Sequence, residues 1–408
     1  MQMQEKIKEL YSKEWVAGTL NFANEKKSKN VRSKKDKFSR NLATLLARDK
    51  ETVAVNLEIL FDGVKVYIAK DGYWLKNDVE YINKIQKYLT KLSEDAPITT
   101  NELYKREDVR DLLNDIFEYC SEKIETRFQK FKRDIIYYEG RNKHYVEEFL
   151  KDASIDIENI HEMDKKRISI ACSCYLKKIK TSYGTPQEFF KHLKKVGSYA
   201  SSFFNIISTA ARAKKKILFS NIQLIELNPI RIDQPIYSWK NIIQKFISND
   251  KYENFKNKCL KNDLIGPKLN KMYNTQLDDD DEIVKPLCLH AEMNILAQII
   301  NQERKSRVFI AVSKKCCYLC KLYIKFAKSK GYNIIISESC KKLYPGWILP
   351  FIENLEFKNE SLTYILENLD PIIKDQIEFY ADDDYYDVDY DDDDDKKFES
   401  LFDYFLEI

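Results

Sequence analysis

A chain of 408 residues with 44% hydrophobic and 33% charged residues, but only nine Gly and nine Pro, has enough apolar content for a substantial core and reads as helix-rich. It has no apolar run near the ~20 residues needed to cross a bilayer, and its start, MQMQEKIKELYSKEW, lacks the basic-then-apolar order of a secretory leader. The expectation is therefore an intracellular protein of cytoplasm or nucleus, with no membrane partner.

The net charge of +3 conceals a division. Asp278 to Glu282 and Asp382 to Asp395 hold 15 acidic residues and no Lys or Arg, leaving 68 basic against 50 acidic residues elsewhere. That excess suits a polyanion partner, or Lys-rich helices that solvate their outer faces. Nine cysteines, an odd number with three of them at 316, 317 and 320, suit reduced thiols and a metal better than a disulfide framework.

In chain order, residues 1–51 read as a basic helical segment, with an exposed loop or helix entry between Lys26 and Arg40. Residues 52–77 change pattern: TVAVNLEIL and VKVYIA flank Asp62-Gly63, which predicts a β-hairpin from Val53 to Ala69. Within a helical region taken as 78–285, residues from about Asp78 to Asp250 show helical periodicity, with Thr185 and Pro186 as a helix start and an irregular crossing around Pro229 and Pro235. Residues 286–350 read helix, strand, helix, strand: LHAEMNILAQIINQE, RVFIAV, CCYLCKLYIKFAKSKG with Gly331 as its stop, and YNIIIS. A strand, crossover helix and strand predict parallel pairing in a right-handed α/β unit. Residues 351–408 end in an acidic tail whose like charge predicts disorder, then FESLFDYFLEI as a small helix. The tail is expected to solubilise the chain or to engage a protein partner.

The chemistry concentrates in 286–350. A catalytic zinc needs about three protein ligands and one open position. His290 stands at the mouth of one helix, while Cys317 and Cys320 open another at a spacing that brings both sulfurs to one side. Helix N-termini and a dication both favour thiolate. Glu292, followed by Leu296 and Ile299 at spacings of four and seven, lies on an inward helical face, where a carboxylate needs a reason. Beside a metal the reason is proton transfer: Glu292 takes a proton from water, the hydroxide attacks an amidine-like carbon, and the same acid protonates the ring nitrogen and the departing amine.

His-x-Glu followed by Cys-x-x-Cys on helix, strand, helix is the signature of zinc nucleobase deaminases. The chain resembles deaminase-like proteins, found largely in fungi, of the cytidine deaminase superfamily. The resemblance rests on His290-Ala291-Glu292, on Ser313-Lys314 closing a strand, on Cys317-Tyr318-Leu319-Cys320, and on Lys342 to Trp347 with Leu349-Pro350. It covers roughly the last third of the chain. It implies Zn2+ held by His290, Cys317 and Cys320, with Glu292 as proton shuttle. It also implies a cytidine-deaminase-like three-layer α/β fold with a mixed sheet, in which 52–77 is the first hairpin, 286–350 the core, and 78–285 a large helical insertion or separate helical region. Two positions depart from the superfamily pattern: Cys316 stands where Pro usually precedes the first Cys, and Asp71 follows the hairpin where many members place a ribose-recognising Asn.

The expected function is a zinc-dependent hydrolytic deaminase acting on cytosine or adenine, in nucleic acid rather than in a free nucleoside or nucleotide. Tyr344 and Trp347, close to Pro and Gly, read equally as its base-stacking residues or as anchors of a loop. The alternatives are a catalytically silent zinc-containing binding or regulatory protein, and a closed structural zinc site that adds Cys288 to the other three ligands; the last leaves Glu292 unexplained. Cys120, Cys172, Cys174, Cys259 and Cys340, like His144, His161 and His192, read as packing or surface residues.

Overall fold

The computed structural model describes residues 2–20, 36–137, 143–156, 164–179, 187–273, 277, 282–337, 339–340 and 342–381. Most of the basic Lys26–Arg40 stretch, the Thr185-Pro186 helix start, His161, most of the Asp278–Glu282 run, the acidic tail and the final apolar stretch lie outside the described residues. No helix in the described part is long and apolar enough to cross a membrane.

The protein is mixed α/β. Helices α1 (Gln2–Thr19) and α2 (Lys37–Leu45) precede strands β1 (Val53–Ile59) and β2 (Val64–Lys70). The helical stretch follows: α3 (Lys76–Glu94), α4 (Thr100–Lys105), α5 (Glu107–Tyr119), α6 (Ser121–Ile136), α7 (Lys143–Ala153), α8 (Lys165–Lys178), α9 (Gln187–Ala210) and α10 (Lys216–Ser220). Then come β3 (Ile222–Glu226), β4 (Arg231–Ile236), α11 (Trp239–Ile243), α12 (Asn249–Lys261), α13 (Gly266–Tyr273), β5 (Ile283–Cys288), α14 (Ala291–Asn301), β6 (Val308–Val312), α15 (Tyr318–Ser329), β7 (Ile334–Ile336) and α16 (Leu355–Ala381).

These elements form two compact units, one from the described residues of 33–68 and 74–226, the other from those of 1–32, 69–73 and 227–408. In the first unit β1 and β2 are neighbours, joined by the turn at Asp62-Gly63, where the Leu60 N–H donates to the Gly63 carbonyl at 2.9 Å. Gly63 is required by close approach, because a Cβ there would lie 2.5 Å from the Asn221 carbonyl oxygen. β2 continues the sheet by pairing parallel with β3, from Val64 opposite Ile222 to Ile68 opposite Glu226. Phe128, Phe131, Phe149, Tyr175 and Phe189 build the core among α6 to α9. His192 belongs to this unit too, with Nδ1 against the Asp134 carboxylate.

A charged cluster fixes the entry to α5. Arg106 donates from Nε and Nη2 to the two carboxylate oxygens of Asp108 at 2.9 and 2.7 Å, and Lys91 adds an ion pair at 3.3 Å. The Arg106 guanidinium, outweighing partial burial, holds the Asp108 carboxyl down at about 2. A depressed carboxylate stabilises the fold above its unfolded pKa near 4, and that stability is lost as pH falls through about 2. Asp108→Asn should lower the urea unfolding free energy by roughly 1–2 kcal/mol at pH 7, with the gap to wild type closing as the pH approaches 2. An equal gap at both ends of that range would refute the assignment.

In the second unit, the strand, crossover helix and strand expected from sequence are present. β6 and β7 pair in parallel, Val308 opposite Ile334 and Ile310 opposite Ile336, with α15 between them in sequence. The irregular crossing expected around Pro229 and Pro235 is instead β4, antiparallel to β5 from Arg231 opposite Cys288 to Ile236 opposite Ile283. Pro235 is tolerated because β4 and β5 make a two-stranded ribbon, in which a strand's far side needs no donor. Residues 227–285, grouped with the helical region by periodicity, therefore belong to the unit that contains His290. α1 packs in this unit against α16, α11 and β4. Although its sequence is rich in Lys and Glu, every residue from Leu10 to Leu20 is buried.

Candidate metal centre

His290, Cys317 and Cys320 converge. His290 is the N-cap of α14, and Cys317 is the N-cap of α15, its sulfur accepting the Cys320 N–H at 3.4 Å. His290 Nδ1 lies 3.5 Å from Cys317 Sγ and 3.3 Å from Cys320 Sγ. One nitrogen and two sulfurs within 4.8 Å of one another, two of them on helix N-termini that favour negative charge, form a donor set suited to zinc. Cys288 does not join this group, although it is buried nearby on β5.

Electrostatics divide the thiols. Burial would keep Cys317 protonated, but hydrogen bonds from Cys320 and the charge of His290 hold it well below the usual thiol range. Its partner Cys320 keeps its proton, through burial and its contacts with Cys316 and Cys317. Burial also disfavours charge on His290, yet the Cys317 thiolate, aided by Asp71 and Glu292, raises the imidazole to about 10. The cluster thus favours charge on His290 and Cys317, and a dication held there would displace the proton of the imidazole and that of the Cys320 thiol.

Glu292, on the first turn of α14, is only 2% exposed, and its Oε2 has no hydrogen-bond partner among the described residues. Burial pushes its carboxyl up to about 7, against the lowering charge of His290. A buried carboxyl that titrates near neutrality beside metal donors suits proton transfer in both directions.

Asp71 Oδ1 accepts the Ala291 N–H at 2.9 Å and pins the start of α14. Cys316 is buried, its thiol donating to the Cys317 carbonyl at 3.5 Å; its sulfur lies within 4.8 Å of Glu292 and Cys320 donors, and burial raises it far above an ordinary thiol. Ser313 and Lys314 follow the end of β6 and lead into this cluster.

The two candidate stacking residues differ. Tyr344 is half-buried. Trp347 is 0% exposed, and its indole N–H donates to Cys320 Sγ at 3.2 Å while its ring packs 6.2 Å from Tyr323. It touches one of the three candidate donors, Cys320, rather than open space.

Sequence reading missed Glu14, on the buried half of α1. Its Oε1 accepts the Trp347 N–H at 3.4 Å, while Oε2 has no partner among the described residues. Burial pushes this carboxyl well above the ordinary range, against the Trp347 N–H and the charge of His290.

A family model described as "OTT_1508_deam:-like deaminase" matches residues 289–351, the stretch that carries all three donors, Glu292, Tyr344 and Trp347. No curated protein and no solved structure matches the chain. The match supports a deaminase domain in this part of the protein.

Proposed function

We propose that the protein is a zinc-dependent hydrolytic deaminase of the cytidine deaminase superfamily, of the type found largely in fungi, acting on cytosine or adenine within nucleic acid. One observation carries the reading: three donors suited to zinc stand beside a buried carboxyl with an unpartnered oxygen, His290 and Glu292 being two residues apart at the start of one helix. A closed structural site would have no use for Glu292.

Zn2+ held by His290, Cys317 and Cys320 would supply a Lewis acid and make water nucleophilic near neutral pH. Glu292 performs the proton transfers. It accepts a proton from the attacking water as oxygen bonds to the amine-bearing ring carbon, and passes it to the adjacent ring nitrogen. A second proton from the same water reaches the exocyclic amine through Glu292; the carbon–nitrogen bond breaks, ammonia leaves and the oxo product remains. Asp71 serves by holding α14 so that Glu292 and His290 keep their relation. Tyr344 remains the candidate for stacking on the base, and the basic excess outside the acidic runs favours a polyanionic substrate.

The hairpin at 52–77 is read as the start of the deaminase fold, with the helical stretch after it inserted. Support comes from Ala69–Tyr73, which close the hairpin yet belong to the compact unit of His290.

The decisive assay is ammonia release from zinc-loaded protein offered cytosine and adenine as nucleosides, nucleotides, and single-stranded DNA and RNA. Turnover of a polymer but not of its nucleotides is the expected result; no ammonia from any of them would overturn the reading. Cys288→Ala should leave one zinc per chain by elemental analysis, whereas loss of the metal would favour a four-ligand structural site.

A further inference from the structure

Helix α1 meets the segment that carries Trp347 along one face. Tyr11, Glu14 and Gly18, spaced i, i+3 and i+7, share that face. The Leu349 N–H donates to the Tyr11 hydroxyl at 3.4 Å, Glu14 Oε1 accepts the Trp347 N–H at 3.4 Å, and a Cβ on Gly18 would come within 2.7 Å of Pro345 Cγ. The same segment is strapped to β5 on its other side: the Cys288 N–H donates to the Gly346 carbonyl at 2.7 Å, and the Ile348 N–H to the Cys288 carbonyl at 3.2 Å. Gly346 turns the chain with φ +89°, in the left-handed region that favours glycine. The backbone of Trp347 is thus held from two sides, and its indole N–H, a donor that must find a partner when buried, is directed at Cys320.

We infer that Glu14 is a positioning residue of the metal centre: by gripping the Gly346–Trp347 backbone from α1, it aims the Trp347 indole N–H at the Cys320 sulfur. A surface helix would leave a Glu in water. Here the carboxyl is fully buried, and it accepts the N–H of the peptide that carries the indole. Hydrogen bonds to metal-bound thiolates set their charge and orientation, and loss of such an outer partner costs about 10–100-fold in metal affinity or activity.

The inference rests on the proposed zinc site, so its test reads the metal and not ammonia. Zinc affinity is measured by competition with a chromophoric chelator, and the thiolate-to-cobalt charge-transfer band is recorded on the Co2+-loaded protein, for full-length wild type, Glu14→Leu, Glu14→Gln, Trp347→Phe and the Glu14→Leu/Trp347→Phe double variant. Trp347→Phe keeps the ring and removes the N–H. It and Glu14→Leu should each weaken zinc by about 10–100-fold and move the band. The double variant should be no weaker than the worse single one, because both act through one hydrogen bond. Gln, which keeps an oxygen for the Trp347 N–H, should recover most of the loss.

Wild-type zinc affinity and an unmoved band in Trp347→Phe would overturn the inference, even if Glu14→Leu failed to fold. Additive losses in the double variant would also overturn it. A wild-type protein that holds zinc but deaminates nothing would overturn the catalytic reading and leave this one standing. A wild-type protein that holds no zinc would overturn both.

Discussion

Glu292→Ala should release ammonia about 10²–10⁴-fold more slowly than wild type while retaining zinc, the range expected when a positioned acid–base group is removed. Retention is expected because the variant keeps all three donors of the His290, Cys317 and Cys320 group; loss of zinc would instead favour the second group of donors, Glu292 with Cys316 and Cys320. The carboxyl is buried with one unpartnered oxygen, so its removal also takes a desolvation cost out of the fold. The variant should therefore be at least as stable to urea as wild type. Slow catalysis, full zinc and undiminished stability together identify a residue kept for chemistry. Loss of stability in Glu292→Ala would instead mark the carboxyl as structural, and unchanged ammonia release would remove it from the mechanism.

The parts of the site that were legible in sequence are those fixed locally. His290 and Glu292 announce themselves because a helix start places both within one turn, and Cys317 and Cys320 because a cap and its third successor face the same way. The β6–α15–β7 unit followed from two continuous apolar runs flanking a helical period. The parts that were hidden depend on residues distant in sequence. Glu14 sits in a helix whose Lys and Glu content reads as a solvated face, and only the return of the chain at Gly346 and Trp347 gives it partners. β4 was hidden by Pro235, whose lack of a donor argues against a strand unless the strand stands at an edge. Trp347, beside Pro and Gly, reads equally as a stacking platform or as a loop anchor. The left-handed turn at Gly346 sends it inward to Cys320 instead.

The largest loss is expected from Cys317, because in the proposed zinc site this residue would serve both the metal and the helix. As a donor it supplies the thiolate of the cluster, and as N-cap it accepts the Cys320 N–H and so fixes the second thiol. Cys317→Ala removes both functions; Cys317→Ser restores a good cap but not a soft thiolate. Both variants should lose zinc by more than the ~10–100-fold that follows removal of an outer partner, and both should release no ammonia. The two separate in stability without metal, where Ser should be firmer than Ala by roughly 1 kcal/mol, the worth of a cap. Thermal unfolding with and without added Zn2+ makes the comparison in one experiment. Wild type should gain about 2.7 kcal/mol when free zinc is a hundredfold above its dissociation constant, and neither variant should gain at that concentration. A Cys317→Ser protein stabilised by zinc as strongly as wild type would show that this sulfur is not a ligand, and the division of labour between His290, Cys317, Cys320 and Glu292 would fail at its first member.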